Sequence, residues 1–200
     1  MRNLLSGVRY IDQRLTTDQF ASVKSRLPYG QLPTLKYDGE VICTSMAIAR
    51  FLAGQFGLAG DSNLEAAQAD EIVDCVNDVV NKGVKARFET NEETKIELMK
   101  ELMSELIPAT LGRLETRLKE RGGQFFAGNK LTWADLHVFA FFDKMRLDNA
   151  EVRIRNILTD IQWFYCQLLD DFPTVRNLLE RVEEMPNISR WLQSRPSSLI

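Results

Sequence analysis

Residues 25–60 decide the fold, and they read SRLPYGQLPTLKYDGEVICTSMAIARFLAGQFGLAG. Two short runs of strand-forming residues, TLKY and EVICT, flank Asp38-Gly39, a pair that readily takes the positive φ angles of a tight hairpin turn. Ser45 then opens a run with apolar residues at helical spacing, and Gly57 ends it. The stretch predicts a β-hairpin followed at once by an α-helix.

Working outward, the chain has two parts with different patterns. Ahead of the hairpin, VRYIDQRL at 8–15 favours a strand and TTDQFASVK at 16–24 favours a short helix. We therefore interpret residues 1–60 as a small α/β domain. Residues 61–200 are helical nearly throughout, which predicts a second, all-α domain.

Three features of the second part predict where its helices are interrupted or begin. Pro108 lies inside the long helical pattern at 95–123, where we expect a kink because proline has no N–H to donate. Gly122-Gly123 is a plausible end of that helix. Thr132 and Asp135 have the spacing of a capping box, so Asp135 is interpreted as structural.

Composition and charge exclude several classes of protein. The 200 residues carry a net charge of −3, which argues against nucleic acid as a partner because phosphate binding needs a basic surface. No apolar run approaches the about 20 residues needed to cross a bilayer, so we expect no membrane association. Three scattered cysteines and one histidine predict neither a disulfide framework nor a metal site, and a cytoplasmic location fits them.

Two motifs within residues 25–60 point to a binding site. Pro33 enters a strand, and a cis bond before it would turn the backbone N–H and C=O of Leu32 toward an added peptide strand. Thr44-Ser45 stands where a strand passes into a helix, and a helix N-terminus is a natural seat for a carboxylate. A short acidic peptide would satisfy both motifs. The alternative is a turn proline followed by an ordinary helix cap.

Three segments carry a resemblance to a known family. YGQLPTLKYDGEVICTSMAIARFLAGQFGLAG resembles the glutathione-binding segment of cytosolic glutathione transferases, closest to the sigma class, which includes glutathione-dependent prostaglandin D synthases. GNKLTWADLHVFAFFDKM and FPTVRNLLERVEEMPNISRWLQSRP resemble parts of the same family's helical domain. The resemblance implies a thioredoxin-like N-terminal domain, an all-helical C-terminal domain, a homodimer, glutathione as co-substrate without a metal, and a small hydrophobic electrophile as second substrate.

The resemblance also implies roles for particular residues in glutathione binding. The backbone of Gln31 and Leu32, ahead of cis-Pro33, matches the part that meets the cysteinyl unit of glutathione. Ser45 matches the residue that takes the γ-glutamyl carboxylate, and Lys24 matches the lysine near the glycyl carboxylate.

Four further residues belong to the implied site, and two of them differ from the residues that the family usually has. Gly30 lies in the binding segment, and Asp78 matches an acidic residue that reaches the neighbouring subunit's glutathione. Phe20 stands where the family usually has tryptophan, and Thr44 stands where it usually has glutamine. The first replacement removes the indole N–H donor and the second exchanges a long amide for a short hydroxyl, so together we expect them to weaken binding by about one to two orders of magnitude.

No residue of this chain matches the family's catalytic tyrosine. The resemblance places that tyrosine on a first strand that lies before Met1, so we expect the α/β domain to lack this strand. Tyr10 aligns instead with the start of the next strand. The predicted strand from Tyr10 to Arg14 would then lose a pairing partner and leave backbone groups unsatisfied.

Residues 152–167, VRIRNILTDIQWFYCQ, form an atypical insert between segments that resemble neighbours in the family. Val-Arg and Cys-Gln can be encoded by the two ends of an intron, so one hypothesis is a translated short intron. The alternative is a genuine helical extension, because the apolar residues of the insert keep helical spacing.

Two classes of function follow from these features. In the first, the protein is a glutathione transferase that joins the glutathione thiolate to small electrophiles in detoxification, or isomerises lipid peroxides or prostaglandin endoperoxides. In the second, it is a non-catalytic glutathione-binding, ligand-binding or crystallin-like structural protein, or the inactive product of a faulty gene model. The first class is favoured by Ser45, Gln31, Pro33 and Lys24. The second is favoured by the missing tyrosine and by the changes at Phe20 and Thr44.

Overall fold

A computed structural model describes residue 8, residues 10–151 and residues 168–195, with only the backbone described for 146–151. Contacts divide the chain into two compact units. The first contains the residues up to Ala59 together with those from Pro186, and the second is Gly60–Met185. The insert that we interpret at 152–167 lies outside the described residues.

The first unit is built on a two-stranded antiparallel hairpin. Thr34 pairs with Cys43 and Tyr37 pairs with Glu40, so the strands are in register around Asp38-Gly39. Both turn residues have positive φ, 47° at Asp38 and 86° at Gly39, which confirms the predicted tight turn. The elements of the first unit are α1 Thr17–Val23, a 3₁₀ turn Lys24–Arg26, β1 Thr34–Tyr37, β2 Glu40–Cys43, α2 Ser45–Gln55 and α8 Pro186–Ser194.

The strand predicted at 8–15 is wrong where the structure describes it. Residue 8 and residues 10–15 have no regular secondary structure, and Ile11 is 94% exposed. The physical reason is that the described sheet holds only β1 and β2, and a strand without a neighbour has no ladder hydrogen bonds. The short helix predicted next is confirmed as α1, which begins with a capping box between Thr16 and Gln19.

The second unit packs helices around an apolar core. The longest of the described helices, Asn63–Arg87, buries Ile72, Val73, Val76 and Val79, which lie on one face at helical spacing. The apolar side chains on one face of the helix Ile107–Glu120 are buried in the same way. The elements are α3 Asn63–Arg87, α4 Glu92–Glu101, a π-helical stretch Leu102–Leu106, α5 Ile107–Glu120, α6 Trp133–Glu151 and α7 Pro173–Glu184.

The interruption expected at Pro108 takes the form of that π-helical stretch, directly ahead of the proline. The N–H of Ile107 donates to the carbonyl of Leu102, five residues back. Proline cannot donate to the carbonyl of Ser104, so the helix accommodates the missing bond by widening one turn. The helix ends at Glu120, and Gly122 and Gly123 follow with positive φ, as predicted.

Asp135 joins the start of α6 to the loop before it, as the predicted cap requires. The backbone N–H and the hydroxyl of Thr132 donate to Oδ2 of Asp135 at 2.7 and 2.9 Å. A third donor, the N–H of Phe126, reaches Oδ1 at 2.9 Å and was not expected from the sequence. Burial raises the pKa of Asp135 to about 6, although all three hydrogen bonds oppose that shift.

Glu115 plays the corresponding role for α7, from the neighbouring helix α5. Its carboxylate accepts from the N–H of Thr174 at 3.1 Å, the Thr174 hydroxyl at 2.6 Å and the N–H of Val175 at 2.9 Å. Burial raises the pKa of Glu115, but these bonds and Lys119 outweigh burial and leave it below its ordinary value. The carboxylate therefore caps a helix whose own N-cap residue, Phe172, has no capping side chain.

Replacing Glu115 by glutamine is expected to lower the free energy of unfolding by about 2 kcal/mol at pH 7, because the amide offers one acceptor to three donors. Since the folded carboxyl has the lower pKa, this contribution is present above the unfolded pKa and is lost as pH falls through the folded pKa. Urea unfolding at pH 7 and pH 3 measures both effects. Glu97→Gln, an exposed change on α4, is the control, and equal stability of the two variants would contradict the assignment.

Candidate functional site

The peptide bond between Leu32 and Pro33 is cis, as the resemblance implies. Leu32 is 45% exposed and lies just ahead of the first ladder pair, Thr34 with Cys43. In the part of the chain that the structure describes, β1 has a strand partner on one side only. An extended peptide can therefore add alongside β1 and meet the backbone of Leu32.

The junction of β2 and α2 has an unusual backbone. Thr44 has φ 68° and ψ 136°, a conformation that residues with a side chain rarely adopt and that tends to occur at functional sites. The Thr44 side chain makes no capping hydrogen bond to the 11-residue helix that Ser45 begins. Both residues are exposed, so the first-turn N–H groups and the Ser45 hydroxyl are accessible to an anion.

Strand register brings these two motifs to one end of the hairpin. Thr34 pairs with Cys43, so Pro33 and Thr44, the residues next to this pair, flank the same rung of the ladder. The sequence predicted each motif separately, whereas their proximity depends on the pairing of the strands. Both motifs are exposed and are therefore available to a ligand at that end of the hairpin.

Phe20 lies in the middle of α1, and Lys24 is the residue directly after that helix. The Lys24 Nζ is 5.9 Å from the centroid of the Phe20 ring. The Lys24 stem also runs beside Gly30, where an added Cβ would lie 3.7 Å from Cγ and 3.8 Å from Cε. Gly30 has φ 60°, a conformation that glycine adopts without cost, and it directly precedes Gln31.

Asp78 belongs to the second unit, where it is exposed on α3. Its expected contact with glutathione bound to a neighbouring subunit stays a prediction. Within the described ranges, no group of three or more metal-ligating side chains comes together. No helix of the described part is long and apolar enough to cross a membrane.

The second unit also holds a cavity of about 500 Å³ between α3 and α5, which we did not anticipate from the sequence. Helical spacing on both helices was the available signal, since the lining residues recur every three or four positions. Burial raises the pKa of the Cys75 thiol, so this cysteine is a poor nucleophile at neutral pH. The lining residues are Glu71, Ile72, Cys75, Ala109, Gly112, Arg113, Leu114, Thr116, Arg117 and Glu120.

Comparisons with known proteins place this architecture. The family model for the glutathione S-transferase C-terminal domain matches residues 77–195. Glutathione S-transferase 1 of Ascaris suum is 33% identical over 200 residues, which cover 96% of this chain and 87% of the relative. Hematopoietic prostaglandin D synthase of Gallus gallus is 32% identical over 195 residues, which cover 98% and 88%.

A solved structure agrees with these sequence relatives. Prostaglandin synthase D of Nilaparvata lugens superposes with a TM-score of 0.82 at 29% identity, covering 98% of this chain and 89% of the other. The fold is thus that of a thioredoxin-like N-terminal domain with an all-helical C-terminal domain. The chain belongs to the glutathione S-transferase family.

Proposed function

We propose that this protein binds glutathione along β1 and joins its sulfur to small apolar electrophiles. One observation carries the proposal, namely the strand register that sets the backbone beside cis-Pro33 and the N-terminus of α2 at the same end of the hairpin. Glutathione has an amide backbone with a carboxylate at each end. The γ-glutamyl carboxylate matches the seat at Ser45, the amide backbone matches the backbone of Leu32, and the glycyl carboxylate matches the ammonium of Lys24.

The chemical step begins when glutathione loses its thiol proton, because the thiolate is the nucleophile. The sulfur then forms a bond to an electrophilic carbon, and a leaving group departs with the bonding electron pair or a double bond takes up a proton. A donor to the sulfur lowers the thiol pKa by stabilising the charged form. We assign no residue of the described chain to that donor, in keeping with the lack of a match to the family tyrosine.

The finer assignments are also proposals. Relatives named prostaglandin D synthase support a sigma-class-like protein that isomerises lipid peroxides or endoperoxides as well as, or instead of, conjugating electrophiles in detoxification. We propose a cytoplasmic homodimer in which Asp78 reaches the partner's glutathione. One solved relative is described as monomeric, so sedimentation equilibrium is the direct test of the dimer.

Titration of the protein with glutathione, followed by an assay with 1-chloro-2,4-dinitrobenzene, tests the function. Saturable binding together with formation of the dinitrophenyl conjugate, above the rate without protein, is the expected result. Binding without conjugation would favour the second candidate, a non-catalytic glutathione-binding or crystallin-like structural protein. The replacements at Phe20 and Thr44 favour that candidate. Absence of glutathione binding would contradict the proposed function and leave only the structural, crystallin-like candidate.

A further inference from the structure

Phe20 of α1 and Lys24, the residue that caps the C-terminus of this helix, form a pair. They are four residues apart, and the backbone N–H of Lys24 donates to the carbonyl of Phe20, so the helical turn itself brings the side chains together. The Nζ lies over the ring, 5.9 Å from its centroid. A cation over an aromatic face is attracted to the electron-rich π system.

The Lys24 stem also lies beside the binding segment. Its Cγ and Cε are at contact distance from the position of a Cβ at Gly30. Gly30 leads directly into Gln31 and Leu32, so the stem is next to the residue that precedes the backbone that we assign to glutathione. An exposed lysine normally samples many rotamers, and ordering it on binding costs conformational entropy.

We propose that Phe20 is a positioning residue, whose ring holds the Lys24 ammonium ready for the glycyl carboxylate of glutathione. This inference rests on the proposed function, which gives Lys24 that carboxylate. A phenyl ring cannot donate a hydrogen bond to the ligand as an indole N–H can, but it keeps a face for a cation. The replacement at Phe20 therefore changes the ring's partner from the ligand to the lysine.

The test compares two ligands, glutathione and γ-glutamylcysteine, which lacks the glycyl unit. Phe20→Leu keeps an apolar side chain but removes the ring, and it is expected to weaken glutathione binding about two- to fivefold. Binding of γ-glutamylcysteine is expected to stay unchanged, because its C-terminal carboxylate belongs to the cysteinyl unit and the glycyl carboxylate that we assign to Lys24 is missing. Isothermal titration calorimetry measures the affinities for both ligands, and thermal unfolding checks that the variant is folded.

A second background makes the test specific. In a Lys24→Met background, Phe20→Leu is expected to cause no further loss of glutathione affinity, because no ammonium remains for the ring to hold. This expectation does not follow if Phe20 only packs against its surroundings.

The outcomes separate this inference from the proposed function. The positioning role is overturned if Phe20→Leu lowers the affinity for both ligands equally, or if its effect persists in the Lys24→Met background. Neither result contradicts the proposed function. An unchanged affinity for glutathione in Phe20→Leu overturns it as well. Failure of the unsubstituted protein to bind glutathione overturns the proposed function first, and the positioning role with it.

Discussion

Replacing Ser45 by alanine is expected to weaken glutathione binding by about ten- to a hundredfold. A hydrogen bond to a charged group contributes about 1.5–3 kcal/mol, and the γ-glutamyl carboxylate is charged at neutral pH. Ser45 is exposed at the first position of α2, so its hydroxyl is available to the ligand rather than to the protein interior. Isothermal titration of the two proteins with glutathione measures the ratio of dissociation constants.

The control for this change is Ser104→Ala, which removes another exposed hydroxyl. The Ser104 hydroxyl donates to the carbonyl of Lys100 at 2.8 Å within the helical segment around Pro108, in the second unit. Its loss is expected to leave glutathione affinity unchanged. Equal affinities for Ser45→Ala and Ser104→Ala would contradict the placement of the carboxylate at the N-terminus of α2.

Replacing Asp135 by alanine is expected to lower the free energy of unfolding by about 3 kcal/mol or more. Three buried donors would lose their acceptor, and each unsatisfied donor costs about 1–3 kcal/mol. Without these hydrogen bonds, the start of α6 is no longer joined to the loop that contains Phe126, a residue that is fully buried. Chemical denaturation followed by far-ultraviolet circular dichroism measures the change.

Asp74→Ala is the matched control, because Asp74 is an exposed carboxylate on α3 of the same unit. If Asp135→Ala were as stable as that control, the three hydrogen bonds would not hold α6 in place. Asp135→Asn, which keeps one acceptor oxygen and the size of the side chain, is expected to fall between the two. It also provides a folded variant if the alanine protein does not accumulate.

Titration of Asp135 is also expected to make the free energy of unfolding depend on pH. Its folded pKa of about 6 lies above the ordinary value of 3.8, so the folded state holds the proton more tightly than the unfolded state. The stability from this group is fully present below pH 3.8 and is lost as pH rises through about 6. The stability of the unsubstituted protein relative to Asp135→Asn is therefore expected to fall across this range. A constant difference would contradict the raised pKa.

Local chemistry accounts for most of what could be predicted. Asp38-Gly39 takes positive φ by its own preference, and Gly57 and Gly122-Gly123 follow their helices for the same reason. The cap joins Thr132 and Asp135, which are three positions apart, and depends on no distant contact for its main bonds. Such features are decided within a few residues, which is why the sequence alone determines them.

Predictions that depend on partners distant in the chain were less complete. Residues 10–15 favour a strand by composition, yet they form none in the described structure, because a strand exists only through hydrogen bonds to a neighbour. The N–H of Phe126 on Asp135 and the caps that Glu115 supplies to α7, about 60 positions away, were likewise missed. No local pattern encodes these contacts.

Local sequence is sufficient to predict the hairpin, the helix that follows it, the helical second part and the two motifs at Leu32-Pro33 and Thr44-Ser45. Strand pairing and packing bring these two motifs to one end of the hairpin and place Lys24 beside both the Phe20 ring and Gly30. The reason is physical. Residue types set what each position can donate or accept, whereas strand register and packing set which of those groups a single ligand can reach together.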